Sequence, residues 1–494
     1  MQVKKLATLV ALACIGFAGQ ASAALSPAAV AVLDDANDVA NGGANPRVVY
    51  VSGASAVQKG IGGIAANLFS GTPIWFANSN NATSGDYFAV AGTYNNPGDA
   101  WHGLNVIYLE RVVGGSVWGV NPVARATPIP TMNVSSGNCG STGTGASATT
   151  AYSCGTSTLL SMVPDAGVSD VAPAMFQSPI NTEGETPADS LDPVTELPLL
   201  TSTAIYGLAF GVPVTTSVPT SVKFTKSLVA ALYAGNVGTW AGVPGAGSGD
   251  VVICRRVPGS GTQAVYNSYF GNFPCTTNYN VPADRYASGA WDDVTRTFTV
   301  TPGTGGVVVV ENSTSNDVKS CLDKAVNGGS YPTKDRDGLP VTVNFTAAGN
   351  KAIGTLSMDS LNGSTTTSNW TFRNMDGDGQ ITWAGATTAG GEPIKTGTGK
   401  NAEMSFDGLS GTYIDGTWDL QGWISFNIPA RTTGAKAEVL NRFLTLAQAP
   451  SVHGAVSALK YVTASVPASG YTGARVLKAE YLAGDQCAPY NKNN

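Results

Sequence analysis

Histidine, charge and long apolar runs are all scarce in this sequence. The chain of 494 residues contains 2 histidines, and charged residues make up 12% of it. Because His102 and His453 are the only imidazoles and no Cys-x-x-Cys pair occurs, the common zinc-ligand patterns are excluded and no metal or cofactor is predicted. A net charge of −6 gives no sign of a basic surface for nucleic acid, and no nucleic-acid partner is predicted. Beyond the N-terminal segment, no apolar run approaches the roughly 18 residues of a membrane-spanning helix.

The N-terminal segment has the pattern of an export signal. Lys4 and Lys5 precede an apolar run over residues 6–17, and the small residues Ala21-Ser22-Ala23 follow it. This order predicts a secretory signal peptide over residues 1–23. Cys14 raises lipid attachment as an alternative, although the residues before it match a lipobox poorly. The sequence therefore predicts an exported protein, with the periplasm, the cell surface and the extracellular space as its possible locations.

The cysteines agree with export. Without Cys14, six remain, and an even number in an exported chain favours disulfides. Cys139 and Cys154 flank a Gly/Ser/Thr-rich loop and are predicted to pair. For the other four, the sequence leaves the connectivity open; one solution joins Cys254 to Cys275 and leaves Cys321 for Cys487.

Apolar runs that end in glycine or serine turns recur along the chain. Strands predicted near residues 47–53, 104–109, 165–170 and 251–256 are each followed by such a turn, and helical spacing follows several of them. This alternation predicts an α/β architecture with a mainly parallel sheet. Ligands of such sheets bind beyond the carboxyl ends of strands, where four loops would converge: residues 52–56, 114–116, 169–170 and 256–262.

The last of these loops has the composition of an anion site. It reads Arg256-Val-Pro-Gly-Ser-Gly-Thr262 and precedes a predicted helix. Gly259 and Gly261 allow the backbone to approach a ligand, and the first N–H groups of a helix attract anions. Ser260 and Thr262 add hydroxyls, and Arg256 adds a planar cationic fork that suits an oxyanion. The alternative interpretation is a turn that only caps the helix.

The order of these segments resembles the periplasmic phosphate-binding proteins of the phosphate-specific ABC transport system. Arg256–Thr262 resembles that family's Arg-x-x-Gly-Ser-Gly-Thr motif, and residues 227–240 resemble the helix before it, with its Gly-x-x-x-x-Trp end. Gly167-Val-Ser-Asp170 is similar to the family's Gly-Ala-Ser-Asp loop. Ser52-Gly-Ala-Ser55 and Gly114-Gly-Ser116 resemble its first two glycine loops. The likeness is scattered from about residue 47 to 465.

The resemblance implies a two-lobed, type II periplasmic-binding fold of α/β class. Its sheets would be mixed and mostly parallel, with β-rich and loop insertions. Lobe 1 would comprise 24–197 and 351–494, with a disulfide-stapled insertion at about 131–158, and lobe 2 would comprise 198–350. The implied ligand is inorganic phosphate, and the implied partners are ABC permease subunits of the inner membrane. The implied phosphate contacts are Ser55, Ala56, Ser116, Asp170, Arg256, Ser260, Gly261 and Thr262.

Two positions depart from the family pattern. Ala56 stands where the family usually has an aromatic residue and can offer only its backbone N–H. Pro258 stands where the family often has an aspartate that neutralises the arginine, so the orientation of Arg256 is open. Arg255, its neighbour, is the candidate substitute.

Asp170 predicts which oxyanion would bind. An ionised carboxylate repels an anion unless the anion has a proton to donate. Phosphate and arsenate carry such a proton at neutral pH, whereas sulfate does not, so an unpaired acceptor would reject sulfate. The alternative is that Asp170 is a turn residue or a helix N-cap.

The sequence thus predicts a binding protein and not an enzyme. Three other functions remain as alternatives. A phosphatase is one, but no Gly-x-Ser-x-Gly elbow accompanies the histidines. A calcium site at Asp376 and Asp378 is another, although Gly385 stands where an EF-hand has its bidentate glutamate, and a hairpin turn explains the motif equally. The third is a surface or matrix protein that reuses the fold.

Overall fold

The structure of the protein is a computed structural model that describes most of the chain after residue 23. The described residues are 24–140, 142–182, 189–276, 279, 281–282, 291–303, 305–361, 369–377, 380–383, 393–395, 418–459, 462–464, 479–481, 486–488 and 490–492. The predicted signal peptide and Cys14 therefore lie outside the described residues.

Eight α-helices occur among the described residues. They are α1 (Pro27–Ala36), α2 (Gln58–Ala66), α3 (Asn121–Arg125), α4 (Lys226–Tyr233), α5 (Gly261–Gly271), α6 (Ser315–Asn327), α7 (Gly434–Gln448) and α8 (Pro450–Ala455). None of these described helices has the length and apolar character that crossing a membrane requires.

The strands are numbered in chain order. The first twelve are β1 (Val48–Gly53), β2 (Ile74–Ala77), β3 (Tyr87–Thr93), β4 (Asn105–Arg111), β5 (Ile129–Thr131), β6 (Tyr152–Ser153), β7 (Leu160–Met162), β8 (Ala166–Ser169), β9 (Leu200–Thr215), β10 (Val251–Arg256), β11 (Trp291–Asp292) and β12 (Thr297–Val300). The others are β13 (Val307–Asn312), β14 (Gly329–Lys334), β15 (Pro340–Phe345), β16 (Lys351–Gly354), β17 (Leu356–Ser357), β18 (Trp370–Arg373), β19 (Gln380–Trp383), β20 (Pro393–Lys395), β21 (Gln421–Pro429), β22 (Val462–Ala464), β23 (Ala479–Tyr481) and β24 (Tyr490–Lys492).

Most of these strands belong to one mixed sheet of 16 strands, whose central order is β13-β10-β16-β9-β21-β8-β1-β4-β3-β2-β6. Parallel pairing forms two groups within it. In the first group β1 lies between β4 and β8, and in the second β10 lies between β13 and β16. The predicted two-lobed α/β fold with a mixed sheet is confirmed.

The long strand β9 joins the two groups. Its first half pairs antiparallel with β21, which continues to β8 of the first group. Its last residues pair with β16 of the second group, where Val214 faces Ile353. The predicted lobe boundary at 197/198 therefore falls just before a strand that both groups share.

The strands of the first group are buried on both faces. Val49 and Val51 of β1 belong to the main apolar core, whereas Tyr50 between them belongs to a second core beneath α1. Strands covered on both faces read as continuous apolar runs, which is why β1 and β4 are visible in the sequence. This packing holds the carboxyl ends of the strands, and the loops that follow them, in fixed positions.

The Cys139–Cys154 disulfide is confirmed. It closes a loop that returns to the sheet, because β6 pairs with β2 directly before Cys154. The ring of Tyr152 packs against Phe76 with 5.8 Å between ring centroids. The insertion is thus attached to the edge of the sheet by apolar contact as well as by its disulfide.

The suggested pairing of the other four cysteines is wrong. The structure joins Cys254 to Cys321 and Cys275 to Cys487. Cys254 lies on β10 and faces α6, which packs over that strand and carries Cys321, and both residues are fully buried. Cys275 follows α5 and is therefore free to reach the distant C-terminal segment. Pairing by nearness in sequence fails because it ignores the direction in which a strand side chain points.

Candidate functional site

Arg256 is the last residue of β10 and has almost no exposed surface (1%). One edge of its guanidinium donates to main-chain oxygens at the end of β13: Nε lies 3.2 Å and Nη2 lies 2.6 Å from the Ser313 oxygen. The other edge donates to two hydroxyls, those of Ser55 and Ser315, each at 3.3 Å. Burial lowers the pKa of Arg256 to about 10, so the group stays charged at neutral pH. The arrangement orients a buried cation towards the loop after β1.

These backbone oxygens hold the Arg256 guanidinium although position 258 carries a proline and not an aspartate that could pair with it. Arg255 is not the substitute, because its Nη2 lies 2.9 Å from the Glu311 carboxylate and its Nη1 donates to the Pro282 oxygen. Consecutive strand residues point to opposite faces, so only one of two adjacent arginines can enter the site. Arg256 is that residue.

Asp170 follows β8 and is 2% exposed. Its Oδ2 accepts a hydrogen bond from the Thr262 hydroxyl at 2.9 Å, and its backbone N–H donates to the Ser116 hydroxyl at 3.2 Å. Its Oδ1 is buried and has no hydrogen-bond partner among the described residues. An unsatisfied buried carboxylate oxygen is costly, so this atom marks a position where a donor would bind well.

Burial raises the pKa of Asp170 to about 6, although the Thr262 hydrogen bond and the charge of Arg256 act to lower it. Asp359 contributes a further rise through its negative charge. At pH 7 to 8 the carboxylate is therefore mainly ionised and acts as a hydrogen-bond acceptor.

The start of α5 fits against the loop after β4. A Cβ atom on Gly261 would lie 2.3 Å from the Ser116 hydroxyl oxygen and 2.7 Å from the Asp170 Cβ, so a side chain is excluded there. The Val117 N–H donates to the Gly259 oxygen at 2.9 Å. Ser260 is the N-cap of α5 and accepts from the Gln263 N–H at 3.4 Å. The loop thus caps the helix, as the simpler interpretation predicted, and it also contacts two other loops of the site.

The structure brings all four predicted loops together at the carboxyl ends of parallel strands. Ser55 contacts Arg256, Ser116 contacts Asp170, and Thr262 contacts Asp170. Ala56 is buried beside Ser55, two residues before α2 begins, and both residues line one cavity. The predicted set is therefore one cluster, with residues from both strand groups.

Sequence reasoning missed the loop after β13. Ser313 and Ser315 hold the Arg256 side chain, and Thr314 caps α6 through reciprocal hydrogen bonds with Asp317. The signal was present, since residues 307–315 show the same order of apolar strand, serine-rich turn and helix as the other loops. Lys59 and Asp359, which lie close to the cluster, follow no motif.

The candidate calcium-binding and histidine side chains that the structure describes lie outside the cluster around Arg256 and Asp170. Asp376 is exposed in the turn between β18 and β19, which form a hairpin, while Asp378 lies outside the described residues. No group of three potential metal ligands occurs in the part of the chain that the structure describes. His102 is exposed in a loop, and His453 is buried against the Tyr206 ring and 2.6 Å from the Ala447 oxygen.

Neutralising Asp170 is expected to stabilise the ligand-free protein at pH 8 but not at pH 4. The pKa is raised on folding, so the folded state binds more protons than the unfolded state between about pH 4 and pH 6. Stability therefore falls as pH rises through this window. Asp170→Asn removes that loss, and its free energy of unfolding should exceed that of the wild type by up to about 3 kcal/mol at pH 8. Urea unfolding at both pH values measures this; equal differences at pH 4 and pH 8 would contradict it.

The comparisons with known proteins give structural likeness only. No family model matches the chain, and no curated protein matches its sequence. Among solved structures it is similar to a putative phosphate ABC transporter substrate-binding protein from Clostridium perfringens with bound phosphate. The TM-score is 0.39, the identity is 11%, and the match covers 84% of this chain and 98% of that one.

Two further structures show the same level of likeness. A DING protein gives a TM-score of 0.40 at 16% identity, covering 84% of this chain and 90% of that one. PstS from Borrelia burgdorferi gives 0.35 at 9% identity, covering 84% and 98%. TM-scores of this size do not establish a shared ligand, so the function of this chain depends on its own site.

Proposed function

We propose that the protein is a solute-binding protein that captures inorganic phosphate between its two lobes. The observation that carries this proposal is the buried Asp170 carboxylate, whose Oδ1 has no partner among the described residues and which lies in one cluster with Arg256 and the start of α5. A buried acceptor beside a cation and helix N–H groups suits an anion that still carries a proton.

The cluster contains a partner for each part of a hydrogen phosphate ion. Arg256 offers a charged fork, and phosphate would take over the hydrogen bonds that it now donates to the Ser55 and Ser315 hydroxyls. The first N–H groups of α5 point outward beside its positive dipole end. Asp170 would accept the proton of the ligand. Sulfate can satisfy the donors but leaves the Asp170 acceptor facing an anion, which supports selectivity for phosphate.

Residues from both lobes form the cluster, which supports capture by closure. Ser55, Ser116 and Asp170 follow strands of the first group, whereas Arg256 ends β10 of the second group and Thr262 follows it. An ion pair between Asp86 and Lys334, at 2.8 Å, also joins segments of the two lobes. Closing the lobes over the ion would exclude water and strengthen each hydrogen bond.

The proposal also includes export of the protein and delivery of the bound phosphate. Three disulfides support an oxidising compartment outside the cytoplasm. There the bound phosphate would pass to an ABC permease or be held by the protein as a scavenger. The hydroxyls of the site lack a histidine base, since both histidines lie elsewhere, which supports binding rather than hydrolysis.

Calorimetric titration of the protein, freed of bound anion, tests the proposal. At pH 7.5 phosphate should bind and release heat, whereas sulfate at the same concentration should give no heat beyond dilution. The Asp170→Asn variant should reduce this discrimination, because an amide can donate to sulfate. Absence of heat with both anions, in protein that melts cooperatively, would overturn the proposal.

A further inference from the structure

A polar cavity lies directly beside the Arg256 guanidinium. It is lined by Ser55 and Ser315, the same two hydroxyls to which that guanidinium donates at 3.3 Å. Its walls come from α2 and the loop before it in the first lobe, and from the first turns of α6 in the second lobe. The cavity therefore continues the proposed phosphate site between the lobes.

The space in this cavity is sufficient for a small oxyanion group. Its volume is about 60 Å³, several times the roughly 10–15 Å³ that a single buried water needs. A phosphoryl group, whose terminal oxygens are each about the size of a water, fits that volume.

Two lysines of opposite lobes line the cavity. Lys59 comes from α2 and Lys319 from α6, and neither ammonium group has a hydrogen bond or ion pair with any described residue. Burial lowers the pKa of Lys319, and the charge of Lys59 lowers it further, so the two cations are close enough to repel each other. Like charges brought together across a cleft are stabilised when an anion lies between them.

The carboxylates at the cavity do not cancel these charges. Asp86 already pairs with Lys334 at 2.8 Å. Asp359 accepts a hydrogen bond from the Ser357 hydroxyl, and both lysines act to lower its pKa against the effect of burial. Inside the cavity, Lys59 and Lys319 therefore face a single carboxylate without an ion pair, that of Asp359, while Asp323 acts on Lys319 from outside the lining. Asp359 also raises the pKa of Asp170, so the cavity and the Asp170 acceptor lie within electrostatic range of each other.

We propose that this cavity is a second oxyanion subsite and that the protein binds diphosphate across both subsites. One phosphoryl group lies at Arg256 and Asp170, and the other lies between Lys59 and Lys319. The inference rests on the proposed function, because the first phosphoryl group uses the phosphate site. A condensed phosphate suits the arrangement since its two anionic groups are joined by a single bridging oxygen, and the Ser55 and Ser315 hydroxyls belong both to the cavity lining and to the hydrogen bonds of Arg256.

Titration of the wild type and of lysine variants with three probes tests the inference. The probes are inorganic phosphate, diphosphate and methyl phosphate, whose substituent is uncharged. The variants are Lys59→Gln, Lys319→Gln and their combination, and the matched control is Lys324→Gln, which changes a lysine of the same helix that does not line the cavity. Each lysine supplies a charge-assisted hydrogen bond, so each single change should lower the affinity for diphosphate relative to phosphate by about tenfold.

The inference predicts that diphosphate binds wild type at least as tightly as phosphate does, and that methyl phosphate does not share the lysine dependence. It is overturned if phosphate binds but diphosphate does not compete with it. It is also overturned if the lysine variants weaken phosphate and diphosphate equally, since the lysines would then only attract anions into the cleft. Failure of phosphate itself to bind would overturn the proposed function instead, which separates the two results.

Discussion

Replacing Arg256 with alanine is expected to abolish measurable phosphate binding. The guanidinium is buried, charged and aimed at the loop after β1, so it would form charge-assisted hydrogen bonds to the ligand in a buried site. Each such bond contributes about 1.5–3 kcal/mol, so losing a bidentate pair corresponds to a loss of roughly 100- to 10,000-fold in affinity. Titration calorimetry with phosphate measures the change.

A lysine at the same position separates charge from geometry. Arg256→Lys keeps the cation but loses the planar fork, and it should bind phosphate about 10- to 100-fold more weakly than wild type. The matched control is Arg255→Lys, because the adjacent arginine contacts Glu311 instead of the site. That variant should bind phosphate as wild type does.

Thermal unfolding must accompany these titrations. Arg256 also donates to the Ser313 backbone oxygen, so its removal leaves a buried acceptor unsatisfied. A variant that melts cooperatively yet binds phosphate within fivefold of wild type would show that Arg256 is a structural residue.

Gly261→Ala is expected to lower phosphate affinity by about a hundredfold or more. The added methyl group would lie within 2.3 Å of the Ser116 hydroxyl oxygen and 2.7 Å of the Asp170 Cβ. Contacts this short force the start of α5 away from the loops after β4 and β8. Since a displacement of about 1 Å in a preorganised site can cost about a hundredfold, the donors of α5 would no longer face the ligand.

The stability of this variant should change much less than its affinity. Alanine is the better helix former by about 1 kcal/mol, which offsets part of the strain at the start of α5. Gly454→Ala is the matched control, because a Cβ at that helical position meets no atom within 4 Å. It should leave phosphate binding unchanged. Wild-type affinity in Gly261→Ala would mean that the close approach of these loops is not needed for binding.

Several features of the site could be predicted because they are local in sequence. The strand ending at Arg256, the turn at Gly259 and the helix from Gly261 occupy one continuous segment, where apolar periodicity and turn residues act on their neighbours. The same holds for the loops that supply Ser55, Ser116 and Asp170. The convergence of these three loops also followed, since the carboxyl ends of parallel strands meet at one edge of a sheet. The approach of the Arg256 loop did not follow, because β10 runs opposite to β8, β1 and β4 through the antiparallel strands β9 and β21.

Features that depend on partners distant in sequence could not be predicted. Arg256 has no carboxylate two residues later, and the oxygens that hold it come from Asn312 and Ser313, more than fifty residues away. Arg255 and Arg256 are equivalent in sequence, and the direction of the strand decides which enters the site. Asp359 and Lys319 belong to no motif, because only the packing of α6 and of the segment after β17 beside α2 brings them near Lys59.

The sequence by itself determined the α/β class, the strand, turn and helix around residues 256–262 and the Cys139–Cys154 pair, because each is encoded by residues that lie close together in the chain. The tertiary structure alone decided the partners of Cys254 and Cys275, the backbone oxygens that orient Arg256, and the position of Asp170 Oδ1, which no described residue bonds. These features depend on which faces of strands and helices pack together. Such packing brings together residues that are far apart in the chain, and their local sequence patterns do not indicate that they will be in contact.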